Sequence, residues 1–165
     1  MATQELLSSA EYLKTSFDGL DQEYYLGELV ERCMPIYLHC KIQALFCQLF
    51  LNLARTHRLF PAPELRIQIE EGKIYRIPDV SVFAEEEPTG EITATTPLVA
   101  IEISSPDDRL SNTLRKLEEY RVVGIRHIWF IDCEAKQLYR YDQAGMQRVT
   151  SLDLPEYNLR ITPSD

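Results

Sequence analysis

The sequence predicts a mixed α/β (α+β) fold, a mixed β-sheet flanked by helices, and three observations predict it. Short apolar, β-branched runs recur between residues 65 and 131, each bounded by turn-forming residues. Two other stretches carry apolar residues at three- and four-residue steps, the mark of helices with one buried stripe. The resulting order (helix, strands, long helix, three strands, helix, strand, hairpin) fits neither a helical bundle nor a sandwich. The length of 165 residues suits one domain with its own core. Within it, residues 1–22 are expected as a leading helix, 23–150 as the core and 151–165 as a tail or edge strand.

Each element has a local reason. Ser8 and Glu11 have capping-box spacing, so a short helix is expected to start there and end near Phe17-Asp18-Gly19. Residues 23–34 read as a strand pair or bent strand turning at Gly27 and closed by Pro35. From Tyr37 to Leu59, Ile42, Leu45, Phe46, Leu49 and Leu53 form a stripe that Cys47, Phe50 and Leu51 widen. Arg55, His57 and Arg58 crowd the end of that helix, where its dipole favours positive charge. Pro61-Ala62-Pro63 breaks the pattern, and Leu65–Glu70 alternates as a half-buried strand before a turn at 71–73. Strands are expected at Ile77–Phe83 and Leu98–Ile103, with an acidic loop through Glu85, Glu86 and Glu87 between them. Asp107-Asp108 or Ser111 would cap a helix that runs to Val123 and stops at Gly124. His127–Asp132 reads as a buried strand, 137–149 as a hairpin turning at Ala144-Gly145, and Tyr157–Ile161 as a last strand.

Composition narrows the function. The net charge of −9 opposes a generic nucleic-acid binder, which is usually basic. No apolar run approaches bilayer length and the first residues lack signal-peptide features, so a cytoplasmic protein is expected. Cys33, Cys40, Cys47 and Cys133 have neither zinc nor redox spacing and read as reduced, buried core thiols.

Two carboxylates stand out. Asp79 and Glu102 each interrupt an apolar strand run, and Glu102's run is apolar on both faces. A carboxylate buried there costs several kcal/mol unless a partner compensates it. For two such groups on neighbouring strands a shared divalent cation is the economical partner; an arginine bridge is the alternative for Glu102. On the following helix, Lys116 falls inside the apolar arc of Leu110, Leu114, Leu117, Tyr120 and Val123, where a solvating lysine rarely sits. A stem packed on the core edge would also explain it.

The ordered series Gly27-Glu28, His39 at a helix start, Pro78-Asp79, Glu102-Ile103-Ser104-Ser105-Pro106, Lys116-Leu117-Glu118-Glu119-Tyr120 and Gly124–Asp132 resembles the Uma-type restriction-endonuclease family of bacteria. That family lies within the PD-(D/E)XK nuclease superfamily, and the likeness runs from about residue 5 to residue 150. The resemblance implies a restriction-endonuclease-like fold and hydrolysis of DNA phosphodiester bonds with Mg²⁺ or Mn²⁺. Asp79 and Glu102 would hold the metal, Lys116 would orient or activate the attacking water, and Glu28 would be a further acidic ligand. The superfamily's lysine two residues after the glutamate is here Ser104, and Lys116 takes its place from the next helix. By analogy, cutting both strands suggests a homodimer.

The chemistry agrees, since such hydrolysis needs a hard cation, one or two carboxylates to hold it and a nearby ammonium. His39 reads as a helix-start or core histidine with a potential orienting role. Ser104-Ser105 lacks the surroundings of a nucleophile elbow. Arg109, Arg115, Arg121 and Arg126 are candidate phosphate contacts, or partners of Glu118 and Glu119. Two competing readings stay open: a catalytically silent binding or assembly module, and a hydrolase of some non-DNA phosphoester.

Overall fold

The computed structural model describes residues 6–106 and 108–162. Its elements in order are α1 (Ser9–Tyr12), β1 (Glu23–Tyr25), β2 (Glu28–Val30), α2 (Tyr37–His57), β3 (Leu59–Pro63), β4 (Arg66–Glu70), β5 (Ile74–Arg76), β6 (Val80–Ala84), β7 (Ile92–Thr93), β8 (Val99–Ile103), α3 (Leu110–Val122), β9 (His127–Asp132), β10 (Gln137–Asp142), β11 (Gly145–Val149), β12 (Leu152–Leu154) and β13 (Leu159–Ile161). A six-stranded sheet runs β11-β10-β9-β8-β6-β3, and a five-stranded sheet runs β2-β1-β5-β4-β7. Strands β12 and β13 pair separately. The larger sheet is antiparallel except at β8–β9, and the smaller except at β4–β7. The mixed α+β class read from the sequence is the one observed.

The parallel step from β8 to β9 decides where the site forms. Parallel neighbours need a crossover, and α3 is that crossover, which packs it against β9 and β10 of the sheet. The sheet is therefore covered on both faces. Val99, Ile101 and Ile103 join Val80, Val82, Trp129 and Phe50 of α2 in one cluster. Ala100, Phe83, Ile128 and Phe130 meet Leu117 and Tyr120 of α3 in another. Strand alternation sends Glu102 to the α3 side.

Several local expectations are corrected. Helix α1 is a single turn rather than a helix reaching Phe17, although its Ser8–Glu11 capping box forms. Residues 61–63 do not break the chain but complete β3, an edge strand on β6, where a proline's missing N–H costs no ladder bond. Strands β7 and β12, absent from the sequence reading, form through short pairings at sites without a strong alternating pattern. Leu45 and Leu51 are 47% and 62% exposed, so the buried stripe of α2 is narrower than its apolar content. Cys40 is exposed and only Cys133 is buried, because Cys40 lies on the outer side of α2. Helix α3 is capped at Arg109 without a side-chain bond; Asp108 instead accepts the Ser105 N–H, and Asp107 lies outside the described residues.

Phe50 is fully buried with its ring stacked 6.4 Å from that of Trp129, itself 1% exposed. Phe50→Ala should cost about 3–5 kcal/mol of stability, seen as a lower urea midpoint followed through the fluorescence of the single tryptophan. A loss under about 1 kcal/mol would contradict this packing.

Candidate active site

Asp79 immediately precedes β6, whose antiparallel register with β8 pairs Val80 with Ile101 and Ser81 with Ala100. Carried one rung further, that register sets Asp79 opposite Glu102, and directly opposed side chains lie on one face. The join is fixed by a bond: the Ile103 N–H donates to Asp79 Oδ2 at 2.7 Å. Pro78 has no N–H and holds an extended backbone, which suits this entry into the strand. Asp79 is 5% and Glu102 8% exposed.

Lys116 reaches the same place from α3. Its Nζ donates to Glu102 Oε2 at 2.9 Å and lies 2.8 Å from Glu23 Oε1. Tyr120, one turn along the same helix face, donates its hydroxyl to Glu102 Oε1 at 2.6 Å. Glu23, at the start of β1, also accepts the Ile77 N–H at 3.1 Å and Arg76 Nη1 at 3.0 Å. Arg76, 1% exposed, spends its other edge on Glu119 of α3 through Nε at 2.6 Å and Nη2 at 2.9 Å. A bidentate fork of this kind fixes both partners.

On the far side, Asp79 Oδ1 accepts from Arg32 Nη2 at 3.2 Å and faces His39 Nε2 at 3.3 Å. His39 Nδ1 lies 3.3 Å from Ser105 Oγ. The cavity at the junction measures about 180 Å³, and its wall includes Glu23, Arg32, His39, Asp79, Glu102 and Lys116.

The electrostatics divide these acids. Burial pushes the Glu102 carboxyl up to about 7; Lys116 opposes this, while the charges of Asp79 and Glu23 reinforce it. Burial acts on Asp79 in the same sense, but the His39 hydrogen bond, Lys116 and the Ile103 N–H together hold it below its ordinary value. Glu23 is likewise held low, burial being outweighed by Lys116 and Arg76. Burial pulls the Lys116 ammonium down, yet Glu102, Glu23 and Asp79 raise it above the ordinary lysine range. Lys116 is therefore an ammonium at neutral pH, and Glu102 is the acid short of positive charge.

That shortage is where a cation fits. Each carboxylate offers about four lone-pair sites. Asp79 meets three donors (Arg32, His39 and the Ile103 N–H) and Glu102 two, so both keep acceptor capacity toward the cavity. Among the described residues no three Asp, Glu, His or Cys side chains form a ready-made metal cage. An ion here would rest on two carboxylates and its own waters, which is how Mg²⁺ is commonly held.

The structure thus brings together Asp79, Glu102 and Lys116, with His39 beside them. It does not bring Glu28. That residue is exposed on β2 opposite Tyr25, two rungs beyond the Glu23–Val30 pair, and is not part of the cavity wall. Glu23 occupies the buried acidic position instead. Its signal was present, since it too is a carboxylate beside an apolar β run, Tyr24-Tyr25-Leu26. Arg32 lies in a coil and carries no periodic signal. Glu102's cationic partner is Lys116 rather than an arginine. Ser104 Oγ is spent on the Cys133 N–H at 2.9 Å. Arg121 pairs with Glu118, Arg126 with Glu156, and Arg115 lies over the Tyr25 ring, leaving Arg109 as the one of the four on the cavity wall.

The chain is thus a mixed sheet between two helices, with an acidic cavity where β6 begins and β8 ends. It aligns with a crystal structure described as "a putative nuclease belonging to DUF820" from Anabaena variabilis ATCC 29413, at TM-score 0.83 and 22% identity over 96% of each chain. At that identity the likeness shows the fold. A DrdV–DNA complex aligns with 67% of this chain and 10% of its own, at 18% identity and TM-score 0.45, and that likeness carries no argument. Among curated proteins none matches the sequence. The Uma2 family model, described as "Putative restriction endonuclease", matches residues 9–162, and the chain belongs to that family.

The position of Glu102 predicts a pH signature. An unfolded chain releases this proton at about pH 4.3, whereas the folded protein keeps it to about 7. Between those values the unfolded state binds fewer protons, so this group's contribution to stability falls as pH rises through the window. Asp79, held low, acts oppositely and only below about pH 4. Without metal, Glu102→Gln should therefore gain stability over wild type between pH 5 and pH 8, by an amount on the order of 3 kcal/mol. Urea titrations at the two pH values measure it, and a pH-independent difference would refute the assignment.

Proposed function

We propose that the protein is a metal-dependent endonuclease hydrolysing DNA phosphodiester bonds, with Asp79 and Glu102 holding Mg²⁺ or Mn²⁺ and Lys116 assisting the attacking water. One observation carries the reading: two buried carboxylates on adjoining strands face the same cavity, with the Lys116 ammonium 2.9 Å from one of them. Family membership supports the nuclease class. When bound, the divalent ion would neutralise charge on the phosphate and make a water a better nucleophile.

The chain's own groups have distinct tasks in this reading. Lys116 has three N–H donors and gives one to Glu102 and one to Glu23. The third is left for a water or a phosphate oxygen at the cavity. Being protonated, it orients the water and stabilises developing negative charge rather than removing a proton. Tyr120 fixes the Glu102 carboxylate from the far side, and Glu23 holds Lys116 in place. Arg109, on the cavity wall, is the candidate contact to the substrate phosphate.

Supercoiled plasmid or a duplex oligonucleotide incubated with purified protein and Mg²⁺ or Mn²⁺ tests this. Wild type should nick or cut it, with EDTA abolishing the activity. Asp79→Ala and Glu102→Ala should each reduce the rate at least about 10³-fold, and Lys116→Ala about 10²–10³-fold. Wild-type cleavage no greater than that of Glu102→Ala under either metal would point instead to a silent module on a nuclease fold. Cleavage of RNA or small phosphodiesters in preference to DNA would move the substrate class.

A further inference from the structure

Arg32 is a largely covered charge at this cavity that the hydrolytic reading leaves without a task. It lies on the connection from β2 to α2, with its side chain 11% exposed. Nη2 donates to Asp79 Oδ1 at 3.2 Å. Nη1 is 3.3 Å from Glu64 Oε2, yet it is buried and makes no aligned hydrogen bond there. Glu64 stands at the cavity rim, 38% exposed, with Gln43 Nε2 donating to its Oε1 at 3.3 Å. The same Gln43 Nε2 donates to the Asp79 carbonyl at 2.9 Å, so one side chain ties both acids to α2. Arg32 thus has a good seat on Asp79 and a half-made second seat on Glu64.

A guanidinium and a divalent ion on one buried carboxylate repel each other. His39, on the same oxygen, can avoid this by being neutral; an arginine cannot. Resting on the metal-binding reading above, we propose that Arg32 is an internal competitor for Asp79. It supplies the counter-charge while the site holds no ion, and it transfers to Glu64 when an ion binds. Arg32 is then a positioning residue that lowers affinity for free metal and keeps the carboxylate pair ordered until it is needed.

Isothermal titration of Mn²⁺ into the full chain tests this apart from activity. Arg32→Gln keeps a donor for Asp79 and removes the charge; it should bind Mn²⁺ about tenfold more tightly than wild type, matching the low end of what an adjacent arginine does to a carboxylate's affinity for a proton. Arg32→Lys should bind within about threefold of wild type, since the charge is kept. Glu64→Gln, at the exposed cavity rim, removes the charge of the second seat and should weaken binding severalfold. Arg32→Gln binding equally or more weakly, or Glu64→Gln binding unchanged, would overturn the competition and leave the nuclease reading standing. If neither wild type nor Arg32→Gln binds Mn²⁺, both fall together.

Discussion

The ammonium of Lys116, held between Glu23 and Glu102, is the contact on which the rest of the site depends. It joins three parts that the sequence keeps far apart: β1 of the smaller sheet, β8 of the larger one and α3 between them. Removing one member of a buried ion network leaves its partner uncompensated, at about 3–5 kcal/mol. An apolar triplet of the same volume would hold those elements together as well or better. The network is therefore weak evidence of a need for stability and stronger evidence of a need for charge at that spot.

Charge there is graded rather than balanced. Arg76 neutralises Glu23 and Glu119, Arg32 stands against Asp79, and Lys116 is shared, so Glu102 alone is left with too little positive charge. Of the seven buried polar residues among the described residues, only Ser81 and Thr93 lie outside this network. The acidity of the chain, −9 overall, thus has a local counterpart in the cavity. A cation in that cavity would answer the deficit and reverse the sign of the surface that an anionic substrate meets.

Much of this was legible in the sequence, for a simple reason. A carboxylate within an apolar β run is conspicuous, and Asp79 and Glu102 were visible on that ground alone. Lys116 was visible because it falls within the apolar arc of its helix. What strand patterns do not carry is pairing: that β6 and β8 are neighbours in a register opposing the two acids depends on contacts between distant segments. That Glu23 is buried and Glu28 exposed depends on the hairpin rung on which each falls, and a shift of a few residues along a short strand leaves no trace in composition. Arg32 was illegible, since a coil has no periodicity to violate. The prolines of β3 misled for the opposite reason, being read as a break where an edge strand accepts them.

The location of the lysine shows why geometry, rather than motif order, is the useful level of description. A lysine two residues beyond the glutamate would lie on the same strand face. Ser104 stands there, and its hydroxyl is committed to the Cys133 N–H that stitches the end of β8 to that of β9. A long side chain at 104 would have to abandon that stitch. Helix α3, placed by the parallel crossover, already passes over the same face, and from it Lys116 brings its ammonium to 2.9 Å from the Glu102 carboxylate. The proposed hydrolysis calls for a positive charge at a point in space, and a fold that carries a helix past that point can deliver it from either element.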